Sequence, residues 1–286
     1  MILRNTQVYN FENAFHGMRN PMNSWDKSDS FFGIVNYYND AIISDAIDAW
    51  VDDINAERVE RGFDPYSLDG ENYSAYEDYV EKITNWYVDN SILKMDDTHE
   101  IYDIALLGPN DLRLAQRLVK AGGEHGKFMR QIFTTTDITA PLYWWKEMDT
   151  YKVGTTANST STMHKLVSKP ITIDDFSFDN DLKNLIITES VYRDNTFEMH
   201  EAIESIVFYC EKLRMKFIES GNIKYWRALI QLLPESYNQT RTWTANYAIL
   251  RNIYFQRKNH KLKEWNSFCE WIKALPYAED LITIGE

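Results

Sequence analysis

Residues 233–265, LPESYNQTRTWTANYAILRNIYFQRKNHKLKEW, constrain this chain more than any other stretch. The Leu-Pro opening is a helix stop or entry signal, because proline fixes φ and donates no backbone hydrogen bond. A polar run, 235–242, follows. The helical pattern that starts at Trp243 places Asn246, Leu250, Ile253 and Arg257 on one face, by steps of four, three and four. The two polar ends of that face lie roughly 16 Å apart, a span that suits a large ligand better than a single ion. Read as packing alone, Asn246 is a satisfied core amide and Arg257 pairs with a surface carboxylate.

The chain is 44% hydrophobic and 14% aromatic over 286 residues, enough for one large domain or a domain with an insertion. With 7 Pro and 11 Gly, long disordered linkers are not expected. The start, MILRNTQVYNF, lacks the apolar core of a signal peptide, and no apolar run approaches the roughly 20 residues of a membrane span. Cys210 and Cys269 sit in helical patterns with no metal-ligand or CxxC neighbour, so they read as buried thiols of a reduced, cytoplasmic protein.

The net charge of −13 is concentrated in one segment. Residues 31–105 hold 18 of the 43 acidic residues and 4 of the 30 basic ones, and the rest of the chain is close to neutral. That balance excludes nucleic-acid binding as the main role, since phosphate backbones need a basic surface. A small anionic ligand needs only a few local cations and stays open.

Residues 2–11 read as a strand, 16–21 and 23–26 as loops, with Arg19, Asn20, Asn23 and Trp25 as loop residues placed to line a site. Residues 34–62 and 73–93 read as two acidic helices, an acidic hairpin over 34–100 inserted in one domain spanning 1–286. A helix capped by Asn110 or Asp111 ends at Ala121, with Gly122 and Gly123 as its stop. Thr134, Thr135 and Thr136 read as strand, Pro141 starts a helix to about Tyr151, and 154–162 is a polar loop. Trp144 and Trp145 read as core or subunit interface. A helix over 198–219 ends at Gly221, another covers 225–232, and a last helix ends at Pro276. His99, His125, His164, His200 and His260 lack zinc spacing, so no metal is expected. Neither GxGxxG nor GxxxxGK[ST] occurs, so neither a classical dinucleotide fold nor a P-loop is indicated.

The wording of the C-terminal stretch resembles the signature of flavin-dependent thymidylate synthases, the ThyX family: LP…WTxNxRxLxxFxxLR, then a His-Ala-Gln segment. Leu233, Pro234, Trp243, Thr244, Asn246, Leu250 and Arg257 fall in its register without a gap. Ala248 stands where the family has Arg, and Lys261-Leu262-Lys263 stands near the His-Ala-Gln. The central order is similar too. Gly123 matches a family Gly, Arg130 falls where a His would be, and Asn158 and Ser161 match the Asn-x-x-Ser. The family's Arg-His-Arg is replaced by Thr150-Tyr151-Lys152 or Tyr151-Lys152-Val153, leaving Lys152 as the one cation there. The phosphate-binding Arg before Leu-Pro falls on Ile230, with Arg227 one turn earlier.

This resemblance implies an α+β, ThyX-like fold, a mixed sheet with long helices, in a homotetramer with sites between subunits. It implies FAD as cofactor, held by Asn246, Asn252, Arg130, Lys152 and Asn158. It implies a pyrimidine nucleotide held by Arg257, Ser161 and Arg227. The implied reaction is methylation of dUMP at uracil C5, with methylenetetrahydrofolate as carbon donor, NADPH as reductant and no protein nucleophile. The family's reduced flavin supplies hydride and its protein supplies position and electrostatics. Two alternatives follow from the missing Arg-His-Arg: another pyrimidine C5-modifying flavoenzyme, or a non-catalytic nucleotide- or flavin-binding homologue.

Overall fold

In a computed structural model of the chain, the described residues are 1–36, 52, 55, 56, 59, 60, 62, 81–87, 89, 90, 94–96, 99–179, 181, 184–189 and 195–285. The chain is α+β. Its first part runs β1 (Ile2–Tyr9), α1 (Phe11–Arg19), β2 (Phe31–Asn36), β3 (Lys94–Asp96), β4 (His99–Leu106) and α2 (Pro109–Ala121). The middle runs β5 (Phe133–Pro141), α3 (Leu142–Met148), β6 (Thr156–Ser159), the short α4 (Thr162–Lys165), β7 (Ile186–Glu189) and β8 (Asn195–Glu198). The last part runs α5 (Met199–Ser220), α6 (Ile223–Leu232), β9 (Asn238–Asn246), α7 (Tyr247–Arg257) and α8 (Lys263–Lys273). No helix among the described residues is long and apolar enough to cross a membrane.

The largest sheet has the strand order β1-β5-β9-β6. Hydroxyls and carboxylates zip β5 to β9: Thr135 to Thr244 at 2.8 Å, Thr139 to Thr240 at 2.7 Å, and Thr242 to Asp137 between them. Partners run in opposite directions, so the two strands are antiparallel. The polar row occupies one face because successive side chains alternate. On the other face Thr134, Thr136, Ile138, Ala140, Trp243 and Ala245 are buried.

This alternation overturns one sequence expectation. Residues 243–246 end strand β9, and helix α7 begins only at Tyr247. The Thr-x-Thr-x-Thr spacing at 240–244 has the period of a strand, and β-branched residues favour it. Asn246 is therefore the N-cap of α7, its side chain accepting from Ile249 N at 3.1 Å, and not a member of the helix face.

Other differences are smaller. Residues 11–19 form α1 where a loop was expected at 16–19, because Phe11, Ala14, Phe15 and Met18 make a buried helical stripe. The polar segment 154–162 contains β6, exposed along its length. In the acidic segment, residues 52, 55, 56, 59, 60, 81–87, 89 and 90 are helical, but 31–36, 94–96 and 99–106 are strands of a separate sheet, ordered β2-β4-β3 and antiparallel. The remainder of the expected hairpin lies outside the described residues. Helices end at Gly122 and Gly221 as expected; both glycines hold positive φ, 68° and 63°.

The chain divides into two compact units whose boundary falls within β1, β5 and β9. One unit is 1–4 with 137–243. Its core is Leu166, Ile171, Phe176, Cys210 and Leu229, where α5 lies along α6. Burial pushes the Cys210 thiol up to about 11. Trp145 is buried, donates to Gln239 O at 3.0 Å, and carries the Arg241 guanidinium 4.2 Å above its ring. The other unit is 5–136 with 244–286. Its core joins the rings of Phe11, Phe15, Phe128, Tyr247 and Tyr277 in edge-on and tilted contacts. Tyr277 donates its hydroxyl to Ala105 O at 2.7 Å and accepts from Leu107 N at 3.0 Å, so the C-terminal turn is tied to β4.

Candidate functional site

The second unit carries an open groove of about 1670 Å³. Its walls come from the end of α1, residues 20–28, one face of α2, and the 3-10 helix His125–Gln131. Asn110, Leu114 and Arg117 reach the groove from α2 because steps of four and three keep them on one face. Lys127 and Arg130 reach it from the 3-10 helix, and Lys27 from the opposite end of the 20–28 segment. Asp26, Glu60 and Glu124 also line it. Arg130 stands 3.5 Å from Glu124, but both side chains are more than half exposed, so water weakens the pair.

Beneath the groove lies a buried ion pair. Arg19 Nε donates to Asp111 Oδ1 at 2.6 Å, and the two side chains are 6% and 0% exposed. Ser28 Oγ and Ser30 Oγ each donate to Asp111 Oδ2 at 2.6 Å. Asp29 caps α2, accepting from Asn110 N at 2.8 Å and Asp111 N at 3.0 Å. The helix cap is thus supplied from 81 residues upstream, which corrects the expectation that Asn110 or Asp111 caps this helix. Burial raises the Asp29 pKa above its ordinary value; the two backbone donors pull against that rise. The helix N-terminus itself is Gly108, where a Cβ would fall 2.2 Å from Asp29 Cγ. Glycine is needed there by close approach rather than by φ.

The residues singled out from sequence are divided between the units. Arg130, Asn246, Asn252 and Arg257 belong to the second, and Lys152, Asn158, Ser161 and Arg227 to the first. Of these eight only Arg130 lines the groove; Arg19 and Asn20, expected from sequence to line a site, line it too. Arg257 lies half-buried with its guanidinium 4.6 Å above the Trp265 ring. Asn252 is exposed and accepts from Gln256 Nε2 at 2.9 Å. Lys152, Asn158 and Arg227 are exposed. Ser161 caps α4, accepting from His164 N at 3.2 Å. Ile230 packs against the first unit's core, so no polar group replaces the phosphate-binding Arg at that register.

No protein-family model and no curated protein matches the chain. Solved structures do. The chain is similar to thymidylate synthase X from Helicobacter pylori, solved with FAD and dUMP, at 17% identity over 61% of this chain and 82% of that one, with a TM-score of 0.44. It is also similar to the UMP/dUMP methylase PolB from Streptomyces cacaoi, solved with 5-Br dUMP, at 15% identity over 62% and 81%, with a TM-score of 0.45. Likeness at these values carries no weight for chemistry.

Three groove residues, Lys27, Arg117 and Lys127, were not singled out from sequence. Arg117 had a signal: it stands seven positions after Asn110, on the polar edge of an amphipathic helix. Lys27 and Lys127 had none, because loop residues gain meaning only from what folds against them. Among the described residues, Glu198, His200 and Glu201 bring ligand atoms within 4.8 Å of one another. They are solvent-facing and lie at the positive end of α5, where a cation is disfavoured.

Proposed function

We propose that this protein binds a flavin nucleotide in the groove of its second unit and acts as a flavin-dependent thymidylate synthase-like enzyme on dUMP. One observation carries the reading: Arg117, Lys127, Arg130 and Lys27 surround one groove in a chain of net charge −13. Cations gathered on an acidic protein attract and hold an anion locally. Two phosphates need several donors, and arginine forks grip them in pairs. The groove exceeds the roughly 300–1,000 Å³ of a typical small-ligand site, so an adenine dinucleotide fits the space and the donor set.

Bound FAD would supply the hydride that turns a methylene group into methyl. Arg117 and Lys127 would hold its pyrophosphate, with Arg130 released from Glu124 to join them. Of the cofactor residues that the family resemblance implies, Arg130 is the one this groove supplies. Methylenetetrahydrofolate would deliver the carbon and NADPH the electrons, and the homotetramer and cytoplasmic location belong to the same proposal.

Methylation at C5 displaces the C5 hydrogen. The test is tritium release from dUMP labelled at C5, with FAD, NADPH and methylenetetrahydrofolate present. Release above background supports the enzyme. Ser161 and Asn246 spend their side-chain oxygens on helix caps, and Ile230 is core. Those observations favour a second reading, a non-catalytic nucleotide- or flavin-binding homologue. Bound FAD without tritium release would overturn the synthase reading and favour that second one.

A further inference from the structure

We infer that Asp111 is a positioning residue of the groove: one buried carboxylate staples both ends of the wall segment 20–27 to α2. The inference rests on the groove being the flavin site. Arg19, immediately before the segment, donates Nε to Asp111 Oδ1. Ser28, immediately after it, donates to Asp111 Oδ2, and Ser30 joins at the same oxygen. Arg19 Nη1 also donates to Ser24 O at 3.2 Å, which pins the middle of the segment. The chain therefore leaves Asp111 and returns to it. Between the two ends, Asn20, Met22, Ser24, Asp26 and Lys27 line the groove.

The same carboxylate belongs to the helix that carries Arg117, six residues and about 9 Å further along its axis. Asp111 thus fixes the separation of Lys27, on the wall, from Arg117, on the helix. Ser30 extends the tie, since its Oγ accepts from Gly108 N at 3.0 Å. Asp29, between the two serines, holds the first turn of the helix at Asn110 and Asp111. Neither 3-10 turn of this wall buries a side chain, and Trp25 stacked on His16 is its ring contact, so its position depends largely on these ties. Apparent affinity falls in proportion to the population that holds this position.

A purely structural staple and a positioning residue give different results. The Ser28→Ala/Ser30→Ala variant removes the far tie and leaves the Arg19–Asp111 pair and the core intact. Asp111→Ala is the stronger change, but it strands Arg19 and risks the fold. The experiment measures FAD affinity by flavin fluorescence, and hydrogen exchange over 20–27, in wild type and in the double serine variant. The expected result is faster exchange at 20–27 and a Kd raised by roughly tenfold, with a cooperative melt at a lower temperature because the buried Asp111 loses two donors. Equal affinity and equal exchange in the variant would overturn the inference. If wild type itself takes no FAD, the functional reading falls. Exchange then decides the staple alone, and no acceleration at 20–27 overturns it.

Discussion

Arg19 and Asp111 are 92 positions apart in the chain and 2.6 Å apart in the fold. Both side chains are almost wholly buried. Removing one partner of a buried pair leaves the other charged and unpaired, at about 3–5 kcal/mol. Arg19→Met is therefore expected to lower unfolding stability by about that amount, read from denaturant melts. A loss under about 1 kcal/mol would mean that water or the serines satisfy Asp111 without the guanidinium.

Arg257 separates packing from binding. Its contact with Trp265 is a half-buried cation–π pair, worth about 0.5–1 kcal/mol of stability. Arg257→Ala should cost that much in a melt. If the guanidinium also grips a nucleotide phosphate, dUMP affinity should fall by about 2–5 kcal/mol. Unchanged affinity in a protein that binds dUMP would confine Arg257 to packing.

Acid should weaken the first unit through Glu211. Arg214 grips it with two bonds of 2.7 Å, and Ile171 N donates to it at 2.8 Å. The side-chain bond from Arg214 comes first in holding the Glu211 carboxyl below its ordinary value; burial opposes it. A carboxyl with a lowered folded pKa adds stability that is present above its unfolded pKa and lost as pH falls through the folded one. The contribution should be full at neutral pH and begin to fall below about pH 4. Glu211→Gln should cost about 1–2 kcal/mol at pH 7 and less as pH falls below about 4. An equal cost across that range would contradict this.

The acidic segment enters and leaves the fold at neighbouring points, since Asn36 pairs with Ile101 and Lys94 also faces Ile101. An insertion whose ends meet can be shortened at small entropic cost. Replacing residues 37–93 with a short turn should leave the helical signal of the body and a cooperative melt, at lower stability because Ile83 and Tyr87 of that segment are buried. A deletion variant that cannot fold would make the segment part of the core.

Much of the fold was legible locally. Gly122 and Gly221 end helices because each adopts positive φ, and Pro141 leads into α3 as its N-cap. What was illegible depended on distant partners. Residues 243–246 match a helical face on paper, yet Thr240, Thr242 and Thr244 find Thr139, Asp137 and Thr135 across the sheet and set a strand. The Asp29 cap could not be read, because it acts on a helix 81 residues later. Of the candidate site, Arg19, Asn20 and Arg130 were named in advance, and their companions Arg117 and Lys127 became neighbours only through folding.

The most direct test of the central claim is an FAD titration of the purified chain, followed by flavin fluorescence, alongside Arg117→Ala/Lys127→Ala. These two side chains are exposed on the groove wall, so the variant should fold normally. The account predicts saturable binding by wild type below roughly 100 μM, within the range typical of enzyme ligands. It predicts that the double variant, with two cations fewer at the pyrophosphate, binds at least roughly tenfold more weakly. Wild type and variant binding FAD alike, or neither binding it, would contradict the claim that this groove holds the flavin.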